Sequence, residues 1–193
     1  FLRYKPDRGG IAAVGLIPEE MGVDRETLDT HYMLQVAVLD DSVISEIEKD
    51  FIFNNFNVAH SYRQETIDDW HDMKTLLVRP PDVHRYFVRV KPDVLDTFAS
   101  GNGMSDMDRD YVEDEFVFQN SFRINSKYYA SLGEKRAFVM SHGRNMFIMK
   151  IVGYAEEAVE YYGLSDKSAH VWIAHQRYPT KGRVWHPAGA HPF

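Results

Sequence analysis

The sequence predicts a mixed α+β fold, on three observations. Short aromatic and aliphatic runs with strand character recur along the chain, at 9–16, 31–39, 84–90 and 146–152. Helical spacing appears between them, as at Val43, Ile44, Ile47 and Phe51, which share one apolar face. The length of 193 residues, with no internal repeat or low-complexity tract, suits one domain or one domain with a small insertion.

Taken in order, 9–16 (GGIAAVGL) is an apolar run bounded by glycines and Pro18, suited to a buried strand. Residues 19–28 are polar and read as a turn or loose helix. The run 31–39 (HYMLQVAVL) is a strand. Asp40 or Asp41 then caps a helix, because its carboxylate can accept from the first unpaired amides, with Glu46 a turn later. A further strand is expected over 58–64. Arg79-Pro80-Pro81 breaks regular structure, and 84–90 (HRYFVRV) alternates like a strand with one buried face. Residues 31–125 therefore read as an α+β insertion between the core strands. The stretch 100–110 has loop composition, and a helix is expected from Tyr111 to about Asn125. Residues 137–140 and 146–152 read as a hairpin across a five-residue loop. A helix over 156–162 ends at Gly163, a natural C-terminal cap. The run 168–174 is read as a final buried strand leading into His175.

Composition narrows the function classes. The chain is 44% hydrophobic and 26% charged, which can build a core without staples. It contains no cysteine, so disulfides and thiolate metal sites are excluded within these residues, as suits a cytoplasmic protein. No apolar run reaches membrane-spanning length, and the start resembles no signal peptide. A net charge of -7 argues against nonspecific nucleic-acid binding and against anionic membranes, since both need a basic surface.

The strongest chemical signal is His175-Gln176-Arg177-Tyr178-Pro179-Thr180-Lys181-Gly182, followed by Trp185 and by Ala190-His191-Pro192-Phe193. An arginine at a strand end beside a proline-stiffened turn offers a planar fork of donors to a carboxylate. Thr180 can donate to the same anion, and Trp185 and His191 can wall a pocket. Pairing of Arg177 with an internal acid is the alternative that these residues alone leave open. Weaker signals accompany it. His142, His170, His175, His186 and His191 crowd the last third, but His170 and His175 fall on opposite faces of a strand. Asp106, Asp108 and Asp110 imitate the start of a calcium loop whose glycine and twelfth-position glutamate are out of register, and a solvated loop is expected. Asn102-Gly103 is read as an ordinary loop pair.

The segment H-x-R-Y-P-T, a short loop and A-H-P-F together resemble the signature of class II, N-terminal-nucleophile glutamine amidotransferases. The variant here is most similar to the amidotransferase part of glutamate synthases, above all the archaeal-type subunits. Ser141-His142-Gly143-Arg144-Asn145-Met146, Lys150, Gly153-Tyr154, Glu156-Glu157 and Tyr162 agree with that subgroup, and Arg8-Gly9-Gly10-Ile11-Ala12 resembles a region shortly after its nucleophile. The match is strong over 136–193, weak over 1–20 and nearly absent between.

The resemblance implies an Ntn-hydrolase-like four-layer α/β/β/α sandwich of two antiparallel sheets, incomplete here at both ends. It implies hydrolysis of L-glutamine to glutamate and ammonia, with the ammonia passing to an FMN-dependent glutamate synthase domain or subunit served by iron–sulfur clusters. Neither cofactor would bind this chain, and a hetero-oligomer is expected. Carried over by position, Arg177 binds the substrate α-carboxylate, Thr180 assists, and Tyr178 and His191 line the pocket. Lys181 departs from the histidine or asparagine of some relatives, so no role carries over there. The family's nucleophile is a cysteine at the mature N-terminus whose own α-amine, with pKa near about 7.7, serves as base. Its oxyanion hole is an Asn-Gly pair beyond the Pro-Phe motif. Both are expected outside the given ends, and Phe1 supplies no nucleophile. The competing expectation is a degenerate amidotransferase fold acting as an amino-acid-sensing or assembly subunit.

Overall fold

The computed structural model describes residues 8–76, 78–129, 133–176 and 186–189. It is a mixed α+β structure built on two antiparallel sheets. The first sheet has the order β6-β1-β7, with β1 Arg8–Leu16, β6 Met146–Val152 and β7 Ala169–Gln176. The second has the order β3-β4-β2-β5, with β2 Tyr32–Val38, β3 Phe56–Arg63, β4 Asp82–Val90 and β5 Ala137–Ser141. Residues 31–125, read from sequence as an insertion, supply β2, β3 and β4 of this second sheet and are not set apart from it.

Helices cover one face of the second sheet. α2 (Ile44–Ile47) continues through a π turn to Phe53, and α3 (Pro92–Gly101) and α4 (Arg109–Tyr128) follow. Val36, Tyr86 and Val88 of the sheet pack there against Ile47, Phe51, Leu95, Val112, Phe116 and Ile124. The opposite face joins the first sheet in a second core, where Met33, Ala37, Phe87 and Phe138 share a layer with Ile11, Ala13, Phe147, Met149 and Ile151. Because side chains alternate along a strand, β2 and β4 serve both cores, and β2 reads as a nearly continuous apolar run. β4 is accordingly buried on both faces, where the sequence suggested one.

Local chemistry sets the boundaries. Asp40 accepts from the Ser42 amide and Asp24 from the Thr27 amide, capping the helical stretch 41–53 and α1 (Arg25–Thr30). Asp108 accepts from the amides of Asp110 and Tyr111 at the start of α4, so the aspartates of the calcium-like stretch include a helix cap. Pro92 occupies the first turn of α3, where its missing donor is harmless. α5 (Ala155–Tyr161) stops before Gly163, which adopts a positive φ of 58°.

Two sequence expectations are corrected. β5 and β6 do not form a hairpin: β5 pairs with β2 and β6 with β1, so 142–145 carries the chain from one sheet to the other. Linker carbonyls serve those other strands, with Gly143 accepting from the Met33 amide and Asn145 from the Gly15 amide. β7 is also not a buried strand; Val171 and Ile173 are each 53% exposed, and its residues are exposed on both faces although β6, at the other edge of the sheet, is buried.

Gln35 ties the sheets together. Its side chain is fully buried on β2, and its Oε1 accepts from the Ser141 hydroxyl at 2.8 Å and from the Ile148 amide of β6 at 2.9 Å. Replacing it by leucine strands both donors in an apolar layer. Gln35→Leu is expected to lower stability by about 2–3 kcal/mol, taking about 1–3 kcal/mol for a stranded buried donor, as measured by urea unfolding.

Candidate functional site

Arg8, Gly9 and Gly153, three residues of the resembling motifs, meet Gln176 at one end of the first sheet. The antiparallel register sets Gly9 opposite Ile151 on β6 and opposite Gln176 on β7. The Gln176 amide nitrogen donates to the Arg8 carbonyl at 3.3 Å and to the Gly153 carbonyl at 3.4 Å, bridging the ends of β1 and β6. A β-carbon on Gly9 would lie 2.7 Å from the Gly153 carbonyl, so glycine is required there by the close approach of two backbones.

The turn after β6 is built with equal economy of space. Glu157 reaches back to accept from the Tyr154 amide at 2.6 Å, closing the start of α5. Its carboxylate would sit 2.3 Å from a β-carbon at 153, which explains Gly153. Tyr162 is wholly buried and donates to the Pro81 carbonyl at 2.8 Å, and burial holds its phenol well above the usual range. Glycine, glutamate and tyrosine of this motif are thus explained by packing and capping, and together they fix the end of the sheet.

Arg177, Tyr178, Thr180 and His191, the residues expected to hold the substrate, lie outside the described residues, as do Lys181 and Trp185. Arg177 is the next residue after Gln176. The segment 141–146 is described in full and forms the corner between the sheets. Asn145 adopts φ 48°, and its Oδ1 accepts from the Leu16 amide at 2.7 Å. Arg144 lies over the Tyr32 ring at 4.3 Å and donates to its hydroxyl, which in turn bonds Asp114. Gly143 leaves room for the Met146 sulfur. His142 stands edge-on to Phe118, with its pKa lowered by burial. These are the bonds of a structural corner, remote in sequence from Arg177.

Lys150 stands closer to the candidate end. It lies on β6 opposite Gly10, whose other neighbour on β7 is His175. Only 4% of it is exposed, and burial pulls the ammonium pKa down to about 8. Alternation on β6 marks position 150 as a site between Ile148 and Val152, but burial of a lysine is not visible from periodicity alone. Gln35 escaped sequence reading for the same reason, although its placement inside the run 31–39 was a signal. Among the described residues, no group of three His, Asp or Glu side chains is arranged to hold a metal ion, and no helix is long and apolar enough to cross a membrane.

No family model matches the chain. It is 29% identical over 187 residues to an uncharacterized protein of Archaeoglobus fulgidus, a match covering 96% of this chain and 41% of that protein. The chain therefore spans less than half the length of that relative.

The buried ammonium has a pH consequence. Below pH 8 Lys150 is charged in both states and its desolvation penalty is fully present. Between about 8 and 10.4, the unfolded pKa, the unfolded chain binds a proton that the folded one lacks, so stability rises with pH. Lys150→Met is expected to remove a rise on the order of 2 kcal/mol across that window, seen by comparing urea unfolding of the two proteins at pH 8 and at pH 10.

Proposed function

We propose that the chain is the glutaminase domain of a class II amidotransferase of the glutamate synthase type, with the four-layer α/β/β/α arrangement of that family. It hydrolyses L-glutamine to glutamate and ammonia, and hands the ammonia to an FMN-dependent synthase partner with iron–sulfur clusters. The observation that carries this proposal is the meeting of Arg8, Gly9 and Gly153 at the sheet end where β7 runs out, because those three belong to two resembling motifs and Gln176, which bridges them, directly precedes Arg177 of the third. Two sheets sharing an apolar layer, with helices on the far face of one, are compatible with that arrangement and support the reading.

In this proposal Arg177 pairs with the α-carboxylate of glutamine, and Thr180 donates to the same group. Tyr178 and His191 line the pocket. The nucleophile is a cysteine thiolate at the mature N-terminus, contributed from outside these 193 residues, with its own α-amine taking the thiol proton. Attack on the side-chain amide expels ammonia, and water resolves the glutamyl thioester. An Asn-Gly pair, also from outside, stabilises the oxyanion.

A second function is favoured by one fact, the lack of any cysteine among these residues. It is amino-acid sensing or assembly without catalysis. Sequencing the N-terminus of the mature protein separates the two: a processed cysteine supports the enzyme, and any other first residue supports the sensor.

The bound carboxylate supplies the direct test. Charge-assisted hydrogen bonds contribute about 1.5–3 kcal/mol each, so losing the guanidinium should cost about a hundredfold in kcat/KM. Arg177→Ala in the full-length protein is expected to lower glutaminase kcat/KM by that factor without altering the melting temperature. Unchanged kinetics would overturn the assignment.

A further inference from the structure

Arg85, on β4 between the two sheets, is 1% exposed, yet no carboxylate lies within ion-pair distance of it among the described residues. One terminal nitrogen donates to the Tyr62 hydroxyl at 2.8 Å, and the other meets only the Met149 sulfur at 3.9 Å. Its Nε has no hydrogen-bond partner among the described residues. The guanidinium also lies 5.1 Å from the centre of the Phe147 ring and 5.5 Å from that of Tyr62. Ring faces and a thioether are weak substitutes for water around a full charge. A buried cation held this way is costly to the fold, and breaking or leaving open such a pair is far worse than never burying the charge. Its alternation partners Val83 and Phe87 point into the same core, so position 85 is one where an aliphatic residue would pack well.

Arg85 and Tyr62 line a cleft of about 510 Å³, within the size range of small-molecule sites. Gln64 and Tyr162 are buried in its wall, and His60 packs against Gly22, where a β-carbon would come within 3.1 Å of the ring. The outer rim is different in character. Glu19, Glu65 and Asp166 are exposed there. The two other cations of the lining are already engaged, Arg63 with Asp82 at 2.7 Å and Lys167 with the Glu20 carbonyl at 3.0 Å. A positive floor beneath a negative rim disfavours a simple anion and suits a molecule that carries both signs.

We propose that this cleft binds a free α-amino acid, with its carboxylate on the Arg85 guanidinium and Tyr62 hydroxyl and its ammonium toward the rim carboxylates. The site is built from β3, β4 and the turns at 19–22 and 162–167, and it uses none of Arg177, Tyr178, Thr180 and His191, the residues proposed to bind glutamine. An amino acid held here supplies the missing counter-charge to Arg85 from outside the chain. Occupancy therefore stabilises the fold, and the empty site carries the penalty.

The test uses the full-length protein with Arg177→Ala, so that the proposed glutamine site does not report. A thermal-shift screen of the standard amino acids at millimolar concentration should find at least one that raises the melting temperature, and titration calorimetry should then give its affinity. Adding Arg85→Met is expected to weaken that affinity at least about tenfold, while the melting temperature without ligand stays equal or rises. Should Arg85→Met fail to fold, Tyr62→Phe provides the second variant and is expected to weaken binding several-fold. Acetate, which offers the carboxylate alone, should bind more weakly than the amino acid. Absence of any amino-acid stabilisation, equal binding by Arg85→Met or Tyr62→Phe, or acetate binding as tightly as the amino acid would each overturn the proposal.

Discussion

A single buried carbonyl oxygen, Oε1 of Gln35, holds the two sheets in register. It sits on β2 of one sheet and accepts from Ile148 on β6 of the other, while Ser141 at the end of β5 donates to the same atom. Apolar layers alone set no such register, since the hydrophobic effect has no direction. A hydrogen bond in a low-dielectric core does have direction, and it penalises any slip that leaves a donor unpaired. Because β5 leads directly into the corner and then into β6, this contact acts with the linker's bonds to Met33, Gly15 and Leu16 to set where the chain crosses between sheets. The position of β6 then sets β1, and β1 sets the end of β7 that precedes Arg177.

The same interior carries charges that a purely structural protein has little reason to keep. Gln35 pairs with Arg85 across β2 and β4, and both reach the Met149 sulfur. Lys150, next to Met149 on β6, lies on the opposite face of that strand and is nearly as buried. Burial disfavours the charged form of lysine, whereas an arginine stays protonated whatever its surroundings. The two therefore answer burial differently. Lys150 can shed its proton in mildly alkaline solution, but Arg85 can be relieved only by a partner. That contrast is why the arginine, and not the lysine, points to a ligand.

Much of the architecture was readable because local signals agreed with the fold. Strands β1 and β2 follow from apolar runs, β4 from alternation after the break at Arg79-Pro80-Pro81, and α4 was expected where the loop-rich stretch ends. α3 escaped notice although Pro92 at its first turn and Val94, Leu95 and Phe98 at helical spacing were available signals. The 137–152 segment was misread because two strands with a short link look the same whether they pair or part into different sheets. Only the partners decide, and those are far away in sequence. β7 misled for a related cause: Val171 and Ile173 have core composition, but composition does not say what packs on a strand's faces. The motif glycines were legible as a pattern, and the structure adds their reason in the backbone contact at Gly9 and the carboxylate against Gly153. Arg85 was legible only in hindsight, as a charged residue between Val83 and Phe87 on one strand face.

The central claim is that this sheet end serves an N-terminal cysteine acting on glutamine. Mass spectrometry of the full-length mature protein after treatment with an electrophilic glutamine analogue tests it most directly. A single covalent adduct on the first residue, prevented by excess L-glutamine, is the result predicted. A protein that begins with a residue other than cysteine, or a first residue left unmodified by the analogue, would contradict it.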